Sequence, residues 1–248
     1  MRMKNDSLKI PYPRRRVVRW MLKNSIIAGF AALFDLEVIG SENIPQKGPL
    51  VVVGNHFHFL DPAAIIRILP YPAEFLGGLR MPNAPVWSKL ATDPWGVLHV
   101  RRGASSRDAL VSAQSVLAQE GVLCVFPEGG SWASVLRPPR PGAALLAARS
   151  NAPILPVGLD GLTDVFPLAR KGKRAHVTIR IGKPFGPFHF SARDRSYRQQ
   201  MDELGHDMMR RISQLIPATR RGFYSEDPAI REAAKGTEIY PWDNVIEE

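Results

Sequence analysis

Several strand-length stretches of this chain are apolar without a break: "GPLVVVGN" (48–55), "VLCVF" at the head of 122–130, and "APILPVGL" (152–159). A strand with one wet face alternates apolar and polar residues, so unbroken runs mean strands covered on both faces. Helix-period segments lie between them. "PAAIIRIL" (62–69) has Asp61 as its expected N-cap and Pro62 in its first turn, "SSRDALVSAQSVLAQEG" (105–121) starts at Ser and stops at Gly, and "PGAALLAARSN" (141–151) reads as a further helix. Alternating strands and helices predict an α/β fold: a mainly parallel central sheet covered by helices on both faces.

Weaker strands are expected at "LEVIG" (36–40), "AEFLGGLRM" (73–81), "WGVLHVRRG" (95–103) and "AHVTIRIG" (175–182), a short helix at 84–91 and a long one over 192–216. From about 218 onward periodicity fades. The 248 residues suit one sizeable domain. The expected division is a basic N-terminal arm and interfacial helix over 1–35, a catalytic-type domain over 36–217 and a C-terminal tail over 218–248. The single cysteine, Cys124, excludes an intramolecular disulfide and any cysteine-based zinc cluster.

The net charge is +10, and it is uneven: residues 1–23 carry Arg2, Lys4, Lys9, Arg14, Arg15, Arg16, Arg19 and Lys23 against Asp6 alone. Such a balance favours anionic partners. The apolar stretch that follows, "IIAGFAALF" (26–34), is too short for a bilayer, which needs about 20 residues. The arm is expected to lie on an anionic membrane surface, its arginines at the headgroups and Phe30, Leu33 and Phe34 in the acyl region. A signal peptide and a helix packed on its own domain are the competing readings. Nucleic acid is disfavoured as a partner, because no recognition motif accompanies the charge.

"VVVGNHFHFLDP" (51–62) concentrates the chemistry. His56 and His58 do not complete a His-x-His-x-Asp-His metal pattern, and the other histidines are scattered, so no metal is expected. His56 and Asp61 are five apart, which on one helix would hold them apart; a turn before a helix starting at Asp61 brings them together. A carboxylate on one imidazole nitrogen leaves the other basic, as a general base requires. Spacing alone leaves this reading level with an ordinary hydrogen-bonded strand-end histidine.

Asn55-His56-(four residues)-Asp61 resembles the signature of the glycerolipid acyltransferases, the 1-acylglycerol-3-phosphate acyltransferases and their relatives. The likeness runs in order over about residues 36–185: "GVLHVRR" (96–102) resembles the second block, "VFPEGGS" (125–131) the third, "APILPVGL" (152–159) the fourth. The resemblance implies transfer of a fatty acyl group from acyl-CoA or an acyl-carrier-protein thioester to the free hydroxyl of a lysophospholipid. The simplest case is 1-acylglycerol-3-phosphate to phosphatidic acid, without a cofactor, on the cytoplasmic face of the cell membrane. His56 would be the general base and Asp61 its orienting partner. Asn55, Arg101, Arg102, Glu128, Gly129, Gly130, Arg140 and Pro156 would bind substrate, and His58 would stand by. The third block departs from its usual Glu-Gly-Thr-Arg: Gly130 and Ser131 replace Thr and Arg, and Trp132 follows. The absent arginine needs a substitute, for which Arg101, Arg137 and Arg140 are candidates, or else the acceptor is less charged. A His/Asp hydrolase and a non-catalytic lipid-binding protein are the alternatives.

Overall fold

The computed structural model describes residues 10–78, 84–100, 107–191, 194–239 and 241, Gly78 and Arg107 by backbone alone. Seven strands form one sheet: β1 (Phe34–Ile39), β2 (Leu50–Gly54), β3 (Glu74–Gly78), β4 (Leu98–Val100), β5 (Val122–Val125), β6 (Ile154–Asp160) and β7 (Ala175–Ile181). Their order is β1-β7-β6-β2-β5-β3-β4. Every neighbouring pair is parallel except β6 with β7.

Alternate residues of β2 sort onto the two faces. Leu50 and Val52 join a core with Phe30, Phe34, Ile65 and Trp95, which come from helices α1 (Arg16–Leu33), α2 (Asp61–Ile68) and α3 (Lys89–Trp95) and from the start of β1. Val51 and Val53 join the opposite core with residues of α4 (Arg107–Leu117), α5 (Pro141–Ser150) and α7 (Tyr197–Ser213). Leu204, Met208 and Ile212 recur at the spacing that lays one stripe of α7 on the sheet. Both faces are covered, which is why the central strands are apolar throughout. The small helix α6 (Val165–Ala169) fills the β6–β7 connection, and two short 3-10 turns with α8 (Pro228–Ala234) occupy the tail region.

Helix α1 departs from the expected seating, with arginines at lipid headgroups and phenylalanines in the acyl region. Arg19, expected at lipid headgroups, is buried, with Nη1 donating to Glu74 Oε1 at 2.6 Å and Nη2 to Glu74 Oε2 at 2.8 Å. Arg14 reaches the same carboxylate, Nη2 to Oε2, at 2.7 Å. Burial alone would raise the Glu74 carboxyl, but the bonds and charges of Arg19 and Arg14 outweigh it and hold the group below its ordinary range. The Lys23 ammonium donates to the Leu69 carbonyl at 2.6 Å. Phe30 and Phe34, expected in lipid, are core residues. Arg14, Arg19 and Lys23 therefore turn inward while Arg15 and Arg16 stay exposed, and Val17, Trp20 and Met21 lie on the outer face, where they are 72%, 67% and 58% exposed. No described helix is long and apolar enough to cross a membrane.

Candidate active site

Register explains why two distant segments meet. Val53 of β2 lies beside Val125 of β5 in parallel, so the residues that follow each strand leave the sheet side by side. Three residues on, they are His56 and Glu128. In the strand order β2 lies between β5 and β6, so the chain after β5 crosses to the far side of β2. Such a switch point at strand carboxyl ends is where open α/β sheets take ligands.

Asp61 organises the turn between β2 and α2. It is the first residue of α2 and not its N-cap, which is Leu60. Its carboxylate turns back over residues 56–58. One oxygen, Oδ2, accepts the Phe57 N–H at 2.7 Å and the His58 N–H at 2.8 Å, and lies 2.9 Å from His56 Nδ1. Asp61 is 1% exposed. This geometry assigns the proton to Nδ1 and leaves Nε2 as the basic nitrogen. The His56 side chain is 16% exposed, and its ring stacks on Phe126 at 4.2 Å with 20° between planes. Phe126 follows the apolar run of β5, and only the β2–β5 register reveals its place against the histidine.

Glu128 approaches the same turn from β5. Its Oε1 accepts the His56 backbone N–H at 2.8 Å, and its Oε2 lies 3.2 Å from Arg137 Nε. Burial pushes this carboxyl up to about 7, against the lowering effect of Arg137. The N–H groups of residues 56–58 are thus engaged by two carboxylates. These three N–H groups are therefore already taken and do not serve as oxyanion donors. Gly129 sits at φ +77°, a conformation that favours glycine, and a Cβ there would stand 3.1 Å from Arg140 Cδ. Arg140 is the N-cap of α5, and its side chain is solvent-exposed beside this turn. Gly130 belongs to the same turn and offers its carbonyl to the Arg137 guanidinium.

Other expected site residues take different positions. Asn55 is buried, with Nδ2 donating to the Leu159 carbonyl at 2.8 Å and Oδ1 accepting the Leu159 N–H at 2.7 Å. Its amide ties β2 to β6 and is fully buried, turned away from any open site. Pro156 lies inside β6 in register with Val53, buried in the sheet. Arg101 and Arg102 lie outside the described residues. His58 contacts Phe59 at 4.4 Å between ring centroids, and Phe59 stacks on Phe166 at 5.8 Å and meets Trp87 edge-on at 5.5 Å. Burial lowers the His58 pKa, with Asp61 opposing and His56 adding to the fall. This aromatic group was not expected: its members come from three separate segments of the sequence. Among the described residues no three His, Cys, Asp or Glu groups converge as metal ligands would.

Residues 35–160 match the model of the Acyltransferase family, and they hold His56, Asp61 and Glu128. The chain belongs to the acyltransferase family. The 1-acyl-sn-glycerol-3-phosphate acyltransferase of Borreliella burgdorferi is 30% identical over 132 residues, covering 52% of each chain. A chloroplastic 1-acyl-sn-glycerol-3-phosphate acyltransferase of Brassica napus is 26% identical over 174 residues, covering 68% of this chain and 49% of the relative. The chain thus spans about half the length of the curated relatives it matches. The crystal structure of the 1-acyl-sn-glycerophosphate acyltransferase PlsC from Thermotoga maritima shares the fold, with a TM-score of 0.55 at 22% identity, over 82% of this chain and 84% of that one.

Proposed function

We propose that this acyltransferase-family chain moves a fatty acyl group from a thioester, acyl-CoA or acyl-carrier protein, to the hydroxyl of a lysophospholipid. The simplest product is phosphatidic acid from 1-acylglycerol-3-phosphate. One observation carries the reading: the imidazole of His56, held by a buried Asp61 oxygen at 2.9 Å, keeps a basic Nε2 on a partly exposed ring. That nitrogen takes the proton of the acceptor hydroxyl as its oxygen attacks the thioester carbonyl carbon. The tetrahedral intermediate collapses, the carbon–sulfur bond breaks, and the leaving thiolate takes the proton from the imidazolium. A thioester is already activated, so alignment plus one base is enough chemistry. The exposed guanidinium of Arg140 beside Gly129 is the described cation best placed for an acceptor phosphate.

The reaction occurs at a membrane surface, on the cytoplasmic face. Support comes from the outer face of α1 and from its neighbour α3, where Leu90 is 78% exposed. This surface favours seating by apolar contact over seating by arginines.

The test incubates purified protein with acyl-CoA or acyl-carrier-protein thioesters and a panel of lysolipids, with products identified by mass spectrometry. His56→Ala should lower transfer by about 100- to 10,000-fold and leave the melting temperature and lipid binding unchanged. Wild-type turnover by that variant removes His56 as the base. Hydrolysis by the wild type with no acceptor requirement replaces transfer with hydrolysis.

A further inference from the structure

Where the family's third block ordinarily reads Thr-Arg, this chain has Gly130 and Ser131, and then Trp132. The structure shows a different device at this point. Trp132 donates its indole N–H to the Thr237 carbonyl at 2.8 Å, so its ring is tied to the C-terminal segment. The guanidinium carbon of Arg137 lies 3.7 Å from the centroid of that ring. Arg137 is 1% exposed; it pairs with Glu128 through Nε at 3.2 Å and donates its backbone N–H to Oε2 at 3.3 Å. Glu128 in turn accepts the His56 N–H at 2.8 Å.

The same C-terminal segment grips the loop again. The Leu136 N–H donates to the Arg220 carbonyl at 2.9 Å, the Phe223 N–H to the Leu136 carbonyl at 3.1 Å, and Arg220 Nη1 to the Ser134 carbonyl at 3.2 Å. An arginine covered by an indole, ion-paired with a carboxylate and 1% exposed is not open to an acceptor phosphate. Of the candidate substitutes for the absent arginine, Arg137 is thus withdrawn from the open site.

We propose that Trp132 and Arg137 are positioning residues for His56: the C-terminal segment holds Trp132 over Arg137, and Arg137 holds the Glu128 carboxylate against the His56 backbone N–H. The proposal rests on the reading of His56 as the base. A charge-assisted hydrogen bond is about twice as strong as a neutral one, so the ionised form of Glu128 fixes the His56 backbone best. Glu128 is faced by Arg137, which favours ionisation, and by Asp61, which opposes it. The Tyr224 hydroxyl also feels the Glu128 charge. Burial already pushes the Glu128 carboxyl up to about 7, so loss of Arg137 pushes it higher and leaves it neutral near neutral pH.

The experiment uses the full chain with Arg137→Met, Trp132→Phe and Trp132→Leu. The His56 amide resonance, followed against pH in nitrogen-15-labelled protein, reports Glu128 ionisation without any need for activity. Its midpoint should rise by about one pH unit or more in Arg137→Met. Turnover on acyl-CoA with lysophosphatidic acid should fall roughly 10- to 100-fold in kcat, as expected for a displaced base, with acceptor KM within about twofold. That loss should shrink as pH rises and Glu128 ionises. Trp132→Leu should lose kcat to a similar degree, while Trp132→Phe, which keeps a ring over the guanidinium, should retain about a third or more.

Where thermal melting shows Arg137→Met to be unfolded, Arg137→Lys replaces it; that variant keeps the charge and loses the planar group, and the same directions are expected at smaller size. An unmoved resonance, or an unchanged kcat in Arg137→Met or Trp132→Leu, overturns the proposal. So does a rise in KM confined to phosphate-bearing acceptors, which would make Arg137 a direct contact. A wild type that transfers no acyl group to any lysolipid strikes the functional reading instead, and the resonance arm still decides whether Arg137 governs the contact with His56.

Discussion

Asp61→Asn separates the electrostatic role of this carboxylate from its structural one. In the wild type one oxygen meets three nitrogens, those of Phe57, His58 and His56 Nδ1, at 2.7, 2.8 and 2.9 Å. An asparagine carbonyl occupies the same place and still accepts both backbone N–H groups. What disappears is the negative charge beside an imidazole that, in the proposed reaction, becomes cationic at the transition state. At an effective dielectric of about 20, unit charges 2.9 Å apart attract by about 6 kcal/mol. That figure is an upper bound, because both charges are spread over several atoms; half of it, about 3 kcal/mol, corresponds to roughly 100-fold in rate. Asp61→Ala adds a different cost: it leaves the Phe57 and His58 N–H groups without their acceptor, at about 1–3 kcal/mol each. The assay measures kcat and acceptor KM with acyl-CoA and lysophosphatidic acid, and unfolding free energy by denaturant. Asp61→Asn should lower kcat roughly 100-fold at unchanged KM and remain within about 1 kcal/mol of wild-type stability. Asp61→Ala should lose both activity and about 2–6 kcal/mol of stability. A kcat for Asp61→Asn within threefold of the wild type, or equal stability in the two variants, refutes the reasoning.

Glu74→Ala leaves Arg14 and Arg19 facing an empty buried site and should cost about 3–5 kcal/mol in denaturant unfolding. Because the folded-state pKa of Glu74 is depressed, its stabilisation is present above the ordinary glutamate range and is lost as pH falls through the depressed value; the stability gap between wild type and variant should therefore close in acid, and a gap that stays constant contradicts it. Trp20→Glu together with Leu90→Glu places charge on the exposed apolar face and should reduce sedimentation with phospholipid vesicles by tenfold or more at both low and high salt, with melting unchanged. Binding that responds to salt alone would return the membrane contact to the exposed arginines.

The sequence made the sheet legible because unbroken apolar runs at 50–53 and 122–125 have few alternatives to a strand covered on both faces. Helix α6 went unread: five residues containing Pro167 carry no period. The antiparallel pairing of β7 with β6 was equally hidden, since an apolar run does not state its direction. Helix α1 shows a stronger limit. Arg16, Arg19 and Lys23 form a stripe in any helical projection, and a stripe of cations ordinarily marks the wet face. Here Arg16 does stay exposed, but the inward turn of Arg19 is dictated by Glu74, more than fifty residues away, whose buried carboxylate Arg14 and Arg19 satisfy. Hydrophobic periodicity cannot see a partner at that distance, so the same residues read as lipid-facing.

The candidate site divides along the same line. His56 and Asp61 are close in sequence, and a turn is enough to join them, so their pairing follows from local geometry. Glu128 reaches His56 only because β2 and β5 are adjacent and in register, a relation no spacing within either segment contains. Asn55 illustrates the converse: it stands next to His56 in the chain yet faces β6, where both ends of its amide bind Leu159. Neighbours in sequence therefore have opposite duties at this strand end. The side chain that closes a sheet contact cannot also meet a substrate, whereas the next residue, already past the last ladder bond, is free to turn toward the cleft. The position proposed for the base is thus set two residues beyond the end of β2, and the carboxylates of Asp61 and Glu128 hold it there by binding the backbone of the turn itself.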